Sequence, residues 1–287
     1  MTGRMKLGIG VAILAGLAAL ALWRIEAASS AVLTARYPKP ASPLAVAPDP
    51  SMAKTGERLA KLNGCTDCHG DALTGHVEFT AAFGTRLVAP NLTRLAHHLS
   101  ADQLAAAIRF GIRPNGTSLI NMPTGRFLRS SDQDVAAIIA YLQSLPEKPD
   151  ATGKTKWGVI GRAMLAMGLM RVEAPLTNPA MRGPAETPTT PLALGRYVAQ
   201  AQCSGCHGPQ LSGNPDEDSP DLRKAVKKYT AAQFVTFFAT GNAHQGHPTH
   251  DMTRVIKDQL KYLTRNDVRS LYTYLKTTGR AATPATP

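Results

Sequence analysis

Cysteine is scarce in this chain, with four residues in 287, and none of the four stands alone. Cys65 and Cys68 form one Cys-x-x-Cys pair, and Cys203 and Cys206 form the other. No thiol is left over for a further ligand or a lone nucleophile. Aromatic residues are also few, at 6% of a chain that is 44% hydrophobic, so ring packing alone does not build the expected core. Acidic residues are outnumbered by basic ones, 20 against 32, for a formal net charge of +12. No strong run of Lys and Arg interleaved with aromatics accompanies that excess, which argues against a nucleic-acid partner. The excess is heaviest in the second half, where it suits either steering toward an acidic partner or a solvated basic face. Long apolar runs are absent except near the N-terminus.

What is present is a pentapeptide that occurs twice. Cys65-Thr66-Asp67-Cys68-His69 and Cys203-Ser204-Gly205-Cys206-His207 both read Cys-x-x-Cys-His, the attachment signature of c-type haem. In that chemistry the two thiols add across the haem vinyl groups and the adjacent imidazole becomes the proximal iron ligand. A zinc site or a redox dithiol is the competing reading of one Cys-x-x-Cys pair. Two pairs, each closed by His and followed by Gly70 or Gly208, favour two covalently bound haem c groups. Cys65, Cys68, Cys203 and Cys206 would bind them, with His69 and His207 on the metal. Each haem would also supply the flat apolar core that the low aromatic content leaves out.

Arg4 and Lys6 precede an apolar run from Leu7 to Trp23, closed by Arg24 and Glu26. The run is at the short end of a ~17–25-residue membrane span and longer than the ~7–15 residues of a signal h-region. It is a signal peptide cut after Ala21 or Ala27, or an uncleaved anchor; Trp23 at the outer edge favours the anchor. Basic residues at the start place the N-terminus in the cytoplasm and the rest outside, the side on which bacteria attach haem c. The expected location is therefore the bacterial inner membrane with the haem domains in the periplasm, or the soluble periplasm after cleavage. Pro38, Pro40, Pro43, Pro48 and Pro50 mark an extended tether.

The two halves repeat. Each opens with a short helix into the pentapeptide, Thr55-Gly56-Glu57-Arg58-Leu59 and Leu194-Gly195-Arg196-Tyr197-Val198. Each then carries Pro-x-Leu, as Pro90-Asn91-Leu92 and Pro220-Asp221-Leu222, and a capping box opening an apolar helix at Ser100/Gln103 and Thr230/Gln233. Met122 and Met252 follow, and each half closes on a second box and helix, Ser131/Asp134 and Thr264/Asp267. One spacing separates Pro90 from Pro220, Gln103 from Gln233, Gly111 from Gly241 and Met122 from Met252. The pentapeptides are further apart than that, so the first half has the longer loop between its His and its Pro.

On these residues each half resembles a class I cytochrome c domain, over roughly 51–147 and 190–278. The resemblance implies an all-α fold: two tandem class I domains, a partly helical linker and an N-terminal signal or anchor helix. The division it suggests is 1–26 signal anchor or signal peptide, 27–50 tether, 51–147 first domain, 148–189 linker and 190–280 second domain. It also implies that the Pro90 and Pro220 carbonyls accept the proximal imidazole N–H, and that Met122, in Asn121-Met122-Pro123, and Met252 are the axial methionines. For Met252 the competing ligands are His244, His247 and His250 just before it, which would make the second haem bis-His; His76, His97 and His98 are expected on the surface. Met/His ligation raises the potential and closes the iron to substrates.

The halves are similar to cytochrome c subunits of bacterial membrane-bound dehydrogenases, in Pro90-Asn91-Leu92-Thr93, Ile108-Arg109-Phe110-Gly111, Met122-Pro123 and Asp134–Leu142. Those subunits commonly carry three haem motifs where this chain has two. The resemblance implies electron transfer from a dehydrogenase subunit or other donor to the respiratory chain, with a quinol-oxidising complex, an oxidase or a soluble cytochrome as redox partner. The alternative is a di-haem peroxidase or thiosulfate-oxidising cytochrome with catalysis at one haem. A sensor would need an output domain, and none is visible. Between the halves, Trp157 to Arg171 is apolar and too short to span a bilayer comfortably. It suits a helix packed between the haem domains, a membrane-surface helix beside Lys154 and Lys156, or a docking strip built on Met164, Met167 and Met170.

Overall fold

The computed structural model describes residues 3–243 and 250–278; for residues 3–6 and 250 it describes the backbone alone. Its architecture is two copies of one helical unit preceded by a long apolar helix. Helix α1 (Gly3–Thr34) continues past Glu26 without a break. The first unit has α2 (Ala53–Leu62), α3 (Cys65–His69), a hairpin of β1 (His76–Ala81) and β2 (Thr85–Ala89), α4 (Leu92–His98), α5 (Ala101–Phe110), α6 (Thr124–Arg129) and α7 (Asp132–Ser144). A linker helix α8 (Val159–Ala166) follows. The second unit has α9 (Pro191–Val198), α10 (Ser204–His207), α11 (Leu222–Ala225), α12 (Ala231–Thr240), α13 (His250–Asp258) and α14 (Arg265–Thr278). The hairpin has no counterpart among the described residues of the second unit. It occupies the longer His-to-Pro loop of the first half, with β1 antiparallel to β2 and His76 opposite Ala89.

Each unit is held by its first helix crossing its last. Helix α7 is buried almost all round, from Val135 to Ala140 and again at Leu142, because its sequence is apolar without a polar stripe. Helix α2 offers a narrow face of Gly56, Leu59, Ala60 and Leu62. At Gly56 the backbones approach so closely that a Cβ would lie 1.8 Å from the Ala137 carbonyl oxygen. Helix α9 meets α14 the same way: a Cβ on Gly195 would lie 2.0 Å from the Ser270 oxygen. Glycine is required at both crossings for close approach of backbone to backbone, at positions matched by the repeat.

Capping follows the sequence with one instructive exception. The Ser100/Gln103 and Thr230/Gln233 boxes close reciprocally, and so does Thr264/Asp267, whose carboxylate accepts the Thr264 N–H at 2.8 Å. The Ser131/Asp134 box closes on one side only: the Asp134 N–H donates to the Ser131 hydroxyl at 3.0 Å, and the Asp134 carboxylate does not take the Ser131 N–H. Tyr197 of the second unit enters it, its hydroxyl accepting the Ser131 N–H at 2.9 Å and donating to Asp134 at 2.6 Å. A phenol that both donates and accepts satisfies the two ends of the box at once. Burial outweighs these bonds and raises the Asp134 carboxyl above its ordinary value.

That intrusion belongs to a pseudo-two-fold interface. Arg58 occupies in α2 the place of Tyr197 in α9, and it reaches Asp267, the repeat partner of Asp134, at 3.7 Å, while donating to the Tyr262 carbonyl at 3.0 Å. Gln202 and Asn63, just ahead of the two pentapeptides, meet at 3.3 Å. Arg126 and Gln259, equally far ahead of the caps Ser131 and Thr264, meet at 2.8 Å. Contacts of this self-complementary kind are what two copies related by a two-fold make. One apolar cluster runs through both units, from Leu59 and Ile138 to Leu194 and Leu271.

The apolar linker stretch is not packed between the haem-motif units. Helix α8 lies against α1 and β2, where Leu165 and Met170 bury with Leu87 against Val32 and Leu33. Arg162 pairs with Glu26 at 3.0 Å and donates to Ser29 and Ser30. The Pro-rich segment is extended but fastened: the Tyr37 N–H donates to Gly116, the Ala45 N–H to Asp132, and Arg182 to the Ser42 carbonyl. Asp132 also holds Arg109 at 2.9 Å and Arg182 at 2.7 Å, both within its buried site.

Two outcomes test the crossing and the interface. Gly56→Ala should cost about 3 kcal/mol of stability, the upper range for overpacking, seen as a lowered denaturation midpoint. Tyr197→Phe should cost about 2 kcal/mol, because it leaves the buried Asp134 and the Ser131 N–H short of a partner; an unchanged midpoint would show that the box recloses on itself.

Candidate haem-attachment sites

Both pentapeptides form a single helical turn ending in a left-handed glycine, Gly70 at φ 80° and Gly208 at φ 76°. The chain then repeats one turn in each half. Leu73 N–H donates to Gly70 O at 2.8 Å and Leu211 N–H to Gly208 O at 2.9 Å. Gly75 N–H returns to His69 O, and Gly213 N–H to His207 O, both at 3.0 Å. Leu73 and Leu211 are buried at positive φ, 56° and 59°, a conformation that a leucine rarely adopts. Their carbonyls accept the Leu92 and Leu222 N–H groups, tying the turn to the segment that carries the loop proline.

The histidines are consequently aimed. His69 is 8% exposed, and its Nδ1 lies 2.7 Å from Pro90 O; His207 is 8% exposed, and its Nδ1 lies 2.9 Å from Pro220 O. A carbonyl only accepts, so Nδ1 carries the proton and Nε2 keeps its lone pair. Burial pulls both imidazoles below their ordinary value, while the carbonyl bond opposes it. A neutral imidazole with one nitrogen held by a carbonyl and the other free is the donor a metal ion takes. The thiols fit the same group. None is in a disulfide, and burial pushes Cys65 and Cys203 up to about 12. Among the described residues no three His, Cys, Asp or Glu side chains converge as a metal cage. The donor set of each half therefore suits one covalently held macrocycle with a histidine ligand better than a zinc ion.

The two methionines are placed differently. Met122 sits in a loop after Asn121, which has positive φ, and Met252 lies in the first turns of α13. Both are partly buried against the shared cluster. The Met122 loop is fastened by the linker: Asn121 N–H donates to Arg171 O and Arg171 N–H to Asn121 Oδ1, both at 2.9 Å. Behind it Thr124 donates to the buried Glu173 at 3.0 Å, and Arg171 to Glu173 at 3.2 Å. His76, His97 and His98 are exposed, with His97 and His98 against Leu145 O and Glu147. His244 and His247 lie outside the described residues, as does the His250 side chain, so the bis-His alternative falls outside them too.

Sequence reasoning gave no role to Glu173, to the two strained leucines or to Arg109, which it named only within Ile108-Arg109-Phe110-Gly111. The leucines were legible as a repeat, Leu73-Thr74-Gly75 and Leu211-Ser212-Gly213. Glu173 carries no local signal. Arg109 is fully buried, and its Nε and Nη1 have no protein partner, leaving two donors suited to an anionic group. Its repeat position in the second half is Ala239.

A family model described as cytochrome c matches residues 53–146 and 192–279. The gluconate 2-dehydrogenase cytochrome c subunit of Pantoea cypripedii is 24% identical over 269 residues, 80% of this chain and 60% of that protein. The fructose dehydrogenase cytochrome subunit of Gluconobacter japonicus is 24% identical over 268 residues, 83% and 54%. The cytochrome c subunit of alcohol dehydrogenase (quinone) from Gluconobacter oxydans is 25% identical over 270 residues, 79% and 55%. The chain spans 54–60% of the length of these curated relatives. Reduced recombinant cytochrome c4 from Pseudomonas stutzeri is a solved structure 22% identical to it, covering 80% of this chain and 98% of that one with a TM-score of 0.22.

Burial raises the Glu173 carboxyl above its ordinary value, against the Arg171 charge and the Thr124 bond, which lower it. The folded state thus holds that proton more tightly than the unfolded chain. The contribution of this group to stability is greatest in acid and falls as pH rises from the ordinary glutamate value through the raised one. Glu173→Gln should remove that fall. Denaturation midpoints measured across pH should show the parent losing ground to the variant as pH rises; parallel curves would place Glu173 outside the pH response.

Proposed function

This chain belongs to the cytochrome c family, and on that basis we propose that it is a membrane-anchored electron carrier with two haem c groups, relaying electrons from a partner dehydrogenase to the respiratory chain. One observation carries the proposal: in both halves the histidine of the pentapeptide gives its Nδ1 proton to the loop proline carbonyl, at 2.7 and 2.9 Å, and so turns Nε2 to a ligand. Cys65 and Cys68 hold the first haem and Cys203 and Cys206 the second, with His69 and His207 on the metal and Pro90 and Pro220 behind them. Met122 and Met252 would supply the further ligand in each half. Haem c bound at these positions supplies a one-electron couple. The protein keeps each imidazole neutral and oriented, and thioether ligation by Met122 and Met252 would favour the reduced state and close the iron to substrates.

The dehydrogenase partner rests on the three relatives, each named as the cytochrome subunit of a dehydrogenase. The acceptor is a quinol-oxidising complex, an oxidase or a soluble cytochrome. Catalysis at one haem gains no support from those relatives. The anchor rests on α1, of which Leu7–Thr34 is long and apolar enough to cross a membrane. Its distal end is built into the protein through Glu26, Ser29 and Ser30 on Arg162. Cleavage after Ala27 would remove the Glu26 side of that pair, which favours retention of the helix. Arg4 and Lys6 keep the N-terminus cytoplasmic and put the haem units in the periplasm.

Purification of the tagged full chain from native membranes in mild detergent, with intact-mass analysis, tests this. The expected result is two haem masses per chain, an intact N-terminus and a stoichiometric dehydrogenase. A chain that arrives alone would overturn the dehydrogenase relay, and one without covalent haem would overturn the function. Replacing Cys203 and Cys206 by Ala should remove one haem mass of the two. Met122→His should lower the potential of the first haem with both haems still attached; an unmoved redox titration would take Met122 out of the ligand set.

A further inference from the structure

The pseudo-two-fold interface is chemically asymmetric at one point. Where the second unit has the neutral Gln259, the first has Arg126, and the two side chains meet each other at 2.8 Å. Gln259 passes the contact on: its Nε2 donates at 2.9 Å to Asp67, which lies inside the first pentapeptide. On the other side, α6, which carries Arg126, packs against the turn Ala199–Cys203 that ends in the first cysteine of the second pentapeptide. Arg126 is thus joined to one attachment motif through Gln259, and its helix lies against the turn that enters the other. Its guanidinium is partly buried, and the groups whose charge acts on it include Cys206, Cys203, Cys65 and Asp67. A guanidinium stays charged at any physiological pH, and in a site of low dielectric its field is weakly screened.

We infer that Arg126 supplies one fixed positive charge shared by both haem-attachment motifs, and that this charge raises the reduction potentials of both haems together. A cation beside both attachment motifs would stabilise an electron on either haem and so oppose its loss from both centres. It rests on the two-haem reading above. Asp67 is held by the neutral Gln259 amide at 2.9 Å rather than by Arg126. Arg126 does not need to touch either haem; it acts through its position at the interface.

A redox titration of the full holoprotein, with both haems resolved spectroscopically, tests the inference. Arg126→Gln repeats the residue that the second unit uses. It should lower both midpoint potentials, by about 59 mV each for a tenfold shift toward the oxidised form of a one-electron couple. Arg126→Lys keeps the charge and should stay close to the parent. Gln259→Glu leaves Arg126 in place, neutralises it by pairing, and should lower both potentials in the same direction even if Arg126→Gln folds poorly. Both haems attached with unmoved potentials in Arg126→Gln, or in Gln259→Glu where the first variant does not fold, would overturn the inference. So would a shift confined to one haem. Absence of covalent haem from the parent protein would instead overturn the two-haem reading itself, so the two failures are distinguishable.

Discussion

The close passage of α2 over α7 and of α9 over α14 governs this structure. With no side chain at Gly56 or Gly195, the crossing brings backbone to within van der Waals reach of backbone. Each crossing fixes the direction in which the first helix ends, and the pentapeptide begins within one or two turns of that point. The turn after the pentapeptide, with its buried leucine at positive φ, then carries the chain to the proline whose carbonyl holds the histidine. The imidazole is oriented because the crossing, the strained turn and the proline loop form one connected chain of constraints. A buried leucine in a rarely occupied conformation is the cost of that geometry, and its appearance at the same place in both halves ties the strain to the site.

Doubling the unit created an interface that each copy answers with equivalent residues. Arg58 and Tyr197 each reach the acidic residue of the other unit's closing helix. Arg126 and Gln259 meet as one such pair. Divergence within this symmetric frame is where the two halves acquire different chemistry: a phenol inside a capping box on one side, a guanidinium among the cysteines in the middle. The units also differ away from it. Met122 lies in a loop strapped by Asn121 and Arg171, and Met252 begins a helix. Arg109 has two unpartnered donors in the first unit where the second has Ala239.

The segment between the units serves three neighbours at once. Its helix packs beside the distal end of α1, Arg171 and Glu173 hold the Met122 loop, and Arg182 closes on Asp132 beside Arg109. The long apolar helix α1, the Met122 loop and the base of α7 are therefore linked through residues 157–182. Burying Asp132 with two guanidinium partners offsets the cost of desolvating a carboxylate and pins the linker to the first unit. The second unit is attached to this assembly by the pseudo-symmetric contacts and the common apolar cluster.

The sequence alone determined the two Cys-x-x-Cys-His motifs, the proline partners of their histidines, the repeat, the helical class and the capping boxes at Ser100 and Thr230. Those features are set by chemistry that acts over a few residues: a thiol pair beside a histidine, a side chain closing on an amide three positions on, an apolar period along one helix. It also marked the long apolar helix. Only the tertiary structure decided that the linker helix lies on α1 rather than between the units, that Tyr197 opens the Ser131 box, and that Arg126 stands between the two motifs. Each of these joins residues far apart in the chain through shape and unpaired hydrogen-bonding groups, and no local pattern encodes which distant group will arrive. Glu173 shows why: its carboxylate matters because Thr124 and Arg171 meet it in a buried place, and that place exists only once the chain has folded.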